Sequence, residues 1–448
     1  MKLSEQHIFK GYWWLPDNPD NKVAGVLTYT PGEKLVLELI GAFERGDGSF
    51  KNVLDVGDRK VPLIYGIDSG AKEISLVSCY SWFSINFSCP FPMVRYTAQV
   101  MVYDKHIKDL DEKCQYTAHV RFPELSHWAP PCAIEQFMEY REKEKEWGDC
   151  TFCLPKLDAQ KETICSIVCE NGISLAIKRS ISYQAGELML KPELEQYSYV
   201  EIKNSDEETG LSINEILHEI HKIGQFLSLA TKRNVLPESI YLKDPDIRQD
   251  FDGEKSHFFP LYILRAQGTV PNPSKLDRND FLFRYEELSD RLPSILAKWM
   301  SDTDNLQPIK NHLVASLVYK PLVGSVDFLQ VIQAIEGVWW RFKDDAYKDA
   351  NGISKRTRTS LNTILKELLN TLSDLSSISK LGLDIEAVID SRNYYTHFVD
   401  KSKKPKSLDG WALYELTKML RKILLCLVLD LLGLPHNEIE QIIARQRH

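Results

Sequence analysis

The stretch Ser391-Arg392-Asn393-Tyr394-Tyr395-Thr396-His397 puts an imidazole, a guanidinium and a carboxamide within a few positions of one another. A neutral imidazole can take the proton from a ribose 2′-hydroxyl, and an imidazolium can give one to the leaving 5′-oxygen. Histidine suits both steps because its ordinary pKa, about 6.5, lies near working pH. A guanidinium fork can grip a phosphate and offset the extra charge of a transition state. Asn393 can orient either group. RNA carries its own nucleophile, so this chemistry calls for neither metal nor cofactor. Asn393 and His397 are four apart and share one face of a helix. Arg392 lies five before His397, about 140° round a regular helix from the 3.6-residue period. Its long side chain, or a break in the helix, must bring the guanidinium back. Charged groups on an amphipathic helix are more often solvated or satisfied by packing, and spacing alone does not separate the two readings.

Lys401, Lys403, Lys404 and Lys406 follow at once, interrupted by Pro405. Such a run is usually a solvated loop, but beside His397 it could track RNA phosphates. Lys355, Arg356 and Arg358 form a second basic cluster. The charge of the chain is uneven. From residue 310 onward 20 Lys+Arg stand against 16 Asp+Glu, within a chain of net charge −8. The acidic remainder is a poor match for a phosphate backbone, so the two parts should meet different partners.

Other constellations compete less well. Cys150-x2-Cys153 and Cys165-x3-Cys169 invite a zinc reading. Yet ICSIVC reads as a strand, where positions four apart lie about 13 Å apart at ~3.3 Å per residue. Buried thiols in a β core are the simpler account. His218-Glu219-Ile220-His221 is one residue short of HExxH and reads as the polar face of a helix. Trp13-Trp14 could stack on a ligand, but adjacent aromatics at a strand are more often core. No Walker loop and no GxGxxG is present.

The elements that must position these groups are of two kinds. Up to about residue 205, short β-branched and aromatic runs such as VAGVLTY, KLVLELIG, VPLIYGID and YTAQVMVYD are punctuated by Gly, Pro and Asp. They predict antiparallel strands in a sandwich or irregular barrel, with a helical insertion over 123–145. Ser212 precedes Glu215 at capping-box spacing, opening the helix INEILHEIHKIGQFLSLA. Residues 243–280 read as loops and short strands. From 280 the pattern is helical: FLFRYEELSDRLPSILAKWM, SVDFLQVIQAIEGVWWRF, RTSLNTILKELLNTLSDL, IEAVIDSRNYYTHF and ALYELTKMLRKILLCLVLDLLG, stopped by Gly433 and Pro435. The expected organisation is α+β: a β-rich domain over 1–205, a mixed helical connector over 206–308 and an all-α bundle over 309–448. The start MKLSEQHIFKGYWWLPDNP has no apolar signal region, and ILLCLVLDLLGL is too short to span a bilayer. Nine dispersed cysteines then point to free thiols in a reducing cytoplasm, with no membrane partner.

The Arg-x4-His spacing, with a polar residue directly after the Arg, resembles the signature of the HEPN superfamily. It falls late in an all-α bundle, ahead of a last long apolar helix, and QAIEGVWWRF resembles that family's opening helix with its Ala-Leu/Ile-Glu core. The opening GYWWLPDNPDNKVAGVLTYTPGEKLVLELIGAF and the segment IYGIDSGAKEISLVSC are similar to the N-terminal domain of ApeA-type proteins. The resemblance implies a ribonuclease of abortive-infection anti-phage defence. In it His397 would be the acid/base, Arg392 the phosphate clamp and Asn393 the orienting group. It also implies a homodimer through the bundle, RNA as substrate and a phage-derived protein trigger at the N-terminal domain. The rival expectation is a non-catalytic HEPN module that dimerises or binds RNA, with an N-terminal domain that binds a protein.

Overall fold

The computed structural model describes residues 1–43, 60–82, 93–131, 135–141, 146–153, 162–184, 193–206, 209–251, 255–265, 267–268, 276–301, 306–318, 324–343 and 360–446. Of these, 82, 135–141, 146–153, 183–184, 246–251, 255–260, 289 and 343 are described by backbone alone. The chain divides into two compact units. One comprises Met1–Gly224 and Val235–Leu276, the other Gln225–Asn234 and Asp277–His448. The stretch expected as a connector, 206–308, is thus shared between them.

The first unit is built on antiparallel strands. Strands β1 (His7–Leu15), β2 (Asn18–Tyr29), β3 (Leu35–Ile40), β4 (Lys60–Asp68), β5 (Glu73–Trp82) and β6 (Met93–Ala98) pair in the order β5-β4-β1-β2-β3-β6. The last part of β5, Tyr80 to Trp82, pairs back with β6 and closes these six strands into a barrel. Alternation explains the interior: Leu35, Leu37 and Leu39 are buried, while Val36 and Glu38 between them are not. Trp13 fills the centre, fully buried, and Trp14 is nearly so, so both belong to the core. Trp13 pairs with Gly66 across the ladder, and a Cβ there would come within 2.3 Å of its ring. Glycine at 66 therefore makes the room the tryptophan needs.

The first part of β5, Ile74 to Val77, pairs instead with β7 (Val100–Tyr103). From there the sheet runs outward through β15 (Lys255–Arg265), β14 (Ser239–Phe251), β8 (Thr117–Arg121), β13 (Glu193–Asn204) and β12 (Ile173–Gln184) to β11 (Thr163–Val168). Where loops and short strands are expected from 243, β14 and β15 are long strands reaching Phe251 and Arg265. Their ladder is irregular between Lys243 and Arg248, so the Asp and Pro residues there mark a bulge and not an end. The helix expected over 123–145 is one short turn, α1 (Pro123–Trp128). Pro130 and Pro131 bar its extension, and the chain continues as a hairpin of β9 (Glu135–Arg141) and β10 (Glu146–Cys153).

Helix α2 (Ile213–Thr231) opens with the expected capping box. Glu215 N donates to Ser212 Oγ at 3.1 Å, and Ser212 N donates to Glu215 Oε2 at 2.8 Å. Beyond β15 the described residues form helices and no strand. The helix expected over FLFRYEELSDRLPSILAKWM is broken into α3 (Tyr285–Leu288) and α4 (Leu292–Met300), because Pro293 sits in the first turn of the second. Then follow α5 (Gln307–Val318), α6 (Ser325–Val338), α7 (Leu361–Thr371), α8 (Ser376–Ser379), α9 (Ile385–His397), α10 (Gly410–Leu431) and α11 (His436–Arg445). Helix α10 buries Leu420, Ile423, Leu424 and Leu427, and α6 buries Phe328, Val331, Ile332 and Ile335. These are the i, i+3, i+4, i+7 positions of a core face. Helix α10 stops where the sequence says: Gly433 has φ +91, which a side chain would resist, and Pro435 follows.

Candidate active site

All three proposed groups lie on α9. Its start is fixed by Asp384, whose carboxylate accepts from the backbone N–H groups of Glu386 and Ala387 at 2.9 and 3.1 Å. Those bonds, that to Ala387 first, hold the Asp384 carboxyl below the usual carboxylate range. Val388 and the fully buried Ser391 turn inward, and the Tyr395 ring meets Phe328 of α6 edge-on at 6.4 Å. Arg392, Asn393 and His397 are left at the surface or only partly covered. His397 is the last helical residue, because Phe398 adopts the left-handed conformation at φ +50.

The helix stays regular, so the arginine side chain supplies the reach. Arg392 Nη1 lies 3.3 Å from His397 Nε2 and 3.5 Å from Asn393 Oδ1. A guanidinium can only donate. The contact therefore requires Nε2 to present its lone pair, the form in which an imidazole accepts a proton. His397 is exposed and Arg392 partly so, which leaves both open to a substrate.

A fourth group joins from α6. Glu336 Oε1 lies 3.7 Å from Arg392 Nε and steadies the guanidinium at that edge, while Nη1 faces the histidine. Burial raises the Glu336 carboxyl above its ordinary range, while the arginine charge pulls it down. The sequence signal was available, since a glutamate directly after Ala334-Ile335 interrupts an otherwise apolar face. Its partner was not.

The four lysines are not equivalent. Lys401 Nζ is paired with Asp409 at 2.6 Å. Lys404 bonds Asp390 at 3.3 Å, and Lys406 pairs with Glu386 and with Asp384, the latter at 3.5 Å. Glu386 lies eleven residues before His397, about 16 Å along the helix at 1.5 Å per residue. Lys406 thus ties the loop to the far end of α9. Lys403 is exposed, and no ion pair of it occurs among the described residues. The loop is pinned at its return: Leu408 N donates to Ser391 Oγ at 2.9 Å, and Tyr395 Oη donates to Leu408 O at 3.0 Å. Ser391 and Tyr395, four apart inside the motif, are positioning residues that spacing did not single out.

Of the two cysteine pairs, only Cys165 and Cys169 have described side chains. Cys165 and Cys169 are buried, and burial pushes the Cys165 thiol up to about 11. The side chains of Cys150 and Cys153 lie outside the described residues, as do Lys355, Arg356 and Arg358. Among the described residues no three His, Cys, Asp or Glu side chains converge as metal ligands. His218 and His221 are exposed on α2.

Comparison with protein-family models gives two matches. Residues 8–299 match ApeA N-terminal domain 1, and residues 329–438 match the Apea-like HEPN domain. The chain belongs to the ApeA family. The first match extends through the sheet and α2 into α4. The second opens inside α6, spans Glu336, Arg392, Asn393 and His397, and closes inside α11. At family level this ApeA-type architecture goes with HEPN nucleases of anti-phage defence. No curated protein and no solved structure matches the chain. No helix among the described residues is long and apolar enough to cross a membrane.

Proposed function

We propose that this chain is an endoribonuclease whose HEPN bundle cuts RNA through Arg392, Asn393 and His397 as part of an abortive response to phage. The observation that carries the reading is the meeting of Arg392 Nη1 and His397 Nε2 at 3.3 Å on an accessible helix end. In this reaction His397 takes the 2′-hydroxyl proton, the oxygen attacks the adjacent phosphorus, and the P–O5′ bond breaks with the imidazolium giving that proton to the leaving 5′-oxygen. Arg392 stabilises the phosphorane charge, and Asn393 keeps the guanidinium and phosphate in register. The products carry a 2′,3′-cyclic phosphate and a 5′-hydroxyl. Because the substrate brings the nucleophile, cleavage needs no metal. A homodimer that brings two α9 helices together across a two-fold axis would complete the site. The N-terminal unit would sense a phage-derived protein and hold the nuclease off in the uninfected cytoplasm.

Incubating the purified protein with total RNA in EDTA tests this directly. Wild type should cut and leave cyclic-phosphate ends, while His397→Ala should not. Cleavage by His397→Ala at the wild-type rate would reduce the bundle to a dimerisation or RNA-binding module.

A further inference from the structure

Phe398 follows His397 directly and is the most exposed large apolar residue among those described, at 89%. It holds φ +50 and ψ 38, the left-handed conformation that closes helices and that glycine or asparagine ordinarily supplies. An L side chain there is strained, and an aromatic ring in water adds a hydration cost. Two separate penalties thus fall on one residue that does nothing for the core. Penalties of this kind persist where a site uses them. The surroundings say what the use is. Consecutive Cα atoms are about 3.8 Å apart, so the ring leaves the chain one residue from the imidazole that the proposed cleavage needs. Thr396, His397, Asp400 and Lys401 around it are polar and exposed. Its exposed chain neighbours are polar, and the other exposed aromatic of this stretch, Trp411 at 70%, stands two residues beyond Asp409, the partner of Lys401. An exposed ring among cations and acid/base groups has the makeup of a platform for an unpaired base, held beside a phosphate.

We infer that Phe398 stacks on the base of a nucleotide flanking the scissile phosphate, so that the enzyme cuts unpaired RNA in which that base is free to turn out. This rests on the ribonuclease reading of the same site. Phe398 touches the substrate's base and positions the phosphate for Arg392 and His397.

The test uses the full-length protein and short single-stranded RNAs with one cleavage position. One RNA is intact, and two carry an abasic ribonucleotide on either side of that position. Wild type should cut one of the abasic RNAs roughly tenfold more slowly, in keeping with the loss of one stacked base. Phe398→Ala should be slower by a similar factor on the intact RNA and should lose nothing further on that abasic one. Phe398→Trp should restore the intact-RNA rate. Phe398→Gly should melt no lower than wild type while cutting as poorly as Phe398→Ala, since glycine relieves the backbone strain. Losses that simply add, or wild type indifferent to both abasic RNAs, would overturn the inference. So would a fall in oligomeric mass on light scattering with Phe398→Ala, which would make the ring a subunit contact. A parallel arm reads binding without cleavage, by fluorescence anisotropy with 2′-O-methyl RNAs. There Phe398→Ala should weaken binding of the intact RNA and not of the abasic one, even if no preparation cleaves. Failure of the cleavage assignment and failure of the stacking assignment are thereby told apart.

Discussion

Two histidines of this molecule look alike as lists of neighbours and differ in everything that matters for chemistry. His119 on β8 has Tyr241 Oη at 2.8 Å from Nδ1, Glu201 at 3.5 Å from Nε2, and the Tyr199 ring stacked on it at 4.8 Å. Glu201 is also bonded by Lys178 at 3.0 Å. A tyrosine, a histidine, a glutamate and a lysine in one row is the richer catalytic inventory. It arises because Glu201, His119 and Tyr241 stand opposite one another in register across β13, β8 and β14. But His119 is 5% exposed, and its neighbours are spent on one another. Burial lowers its pKa and leaves it neutral, against the pull of Glu201. Glu201, beside His119 and Lys178, is held down to about 2. This is a cross-strand polar ladder that fixes the sheet. His397 has a poorer inventory, one arginine and one asparagine, yet it stands at an open helix end. Access therefore defines a site better than the number of reactive residues does.

The largest effect that could break this contrast is in turnover. Arg392→Ala and His397→Ala should each lower the cleavage rate by roughly 10²–10⁴-fold, with little change in melting temperature because neither side chain is buried. His119→Ala should do the reverse. It should destabilise the sheet by about 1–3 kcal/mol, the cost of leaving buried partners unsatisfied, and leave the chemical step of folded enzyme unchanged. Denaturant melts and single-turnover rates on the same preparations check both. An inactive but fully stable His119→Ala would move the chemistry to the sheet.

A smaller effect separates the lysines. Replacing Lys403, which is exposed and has no ion pair among the described residues, should weaken RNA binding and flatten the salt dependence by roughly 0.7, the share of one single-strand phosphate no longer neutralised. Saturating substrate should recover the rate, since ground-state binding is what the change removes. Replacing Lys404 and Lys406 should leave the salt slope alone, because both are spent on holding the loop to α9. Equal slopes for the two variants would remove the distinction.

Glu336→Gln should lower the turnover number a few-fold through a less steady Arg392, the scale of one partly buried ion pair. It should leave the packing of α6 on α10 intact, as judged by the melt. A drop in stability with unchanged turnover would make Glu336 a packing residue only.

The smallest effects are in pH, and the two units should show opposite signs. His119 has a lowered pKa in the folded protein, so its contribution is present above the unfolded value, about 6.5, and is lost as pH falls below it. His436 on α11 is bonded to Asp374 at 2.7 Å and to Asp430 at 3.3 Å. Slight desolvation opposes its charge, but the two carboxylates outweigh it and raise its pKa. Its contribution is therefore full below about 6.5 and lost as pH rises through the raised folded value. Calorimetry of wild type, His119→Gln and His436→Gln at about pH 5.5 and about pH 8.5, either side of the unfolded histidine value, should show each variant blunting one side of the profile. Both variants blunting the same side would contradict the opposite signs.

Periodicity made much of the architecture legible. The strands up to residue 205, the capped helix at Ser212 and the last long helix with its glycine stop stand where alternation, capping chemistry and the 3.6 period put them. The failures share a cause. Proline and aspartate at 244–246 read as loop punctuation because a bulge and a loop use the same residues. The pattern over 123–145 reads as helix, and the two prolines and the β10 partner decide against it.

For the site, the sequence by itself determined which groups were available and that Asn393 and His397 share a face, because helix geometry is a property of the local chain. It also determined that Arg392 would need its full length to reach His397. Only the tertiary structure decided which groups are free to act. It brought Glu336 to Arg392 from a helix 56 positions earlier in the chain. It spent Lys404 and Lys406 on acidic residues of α9 and its cap, and it closed a tempting row of reactive side chains around His119. Exposure and partner choice depend on contacts between elements far apart in sequence, and no local rule of spacing encodes them.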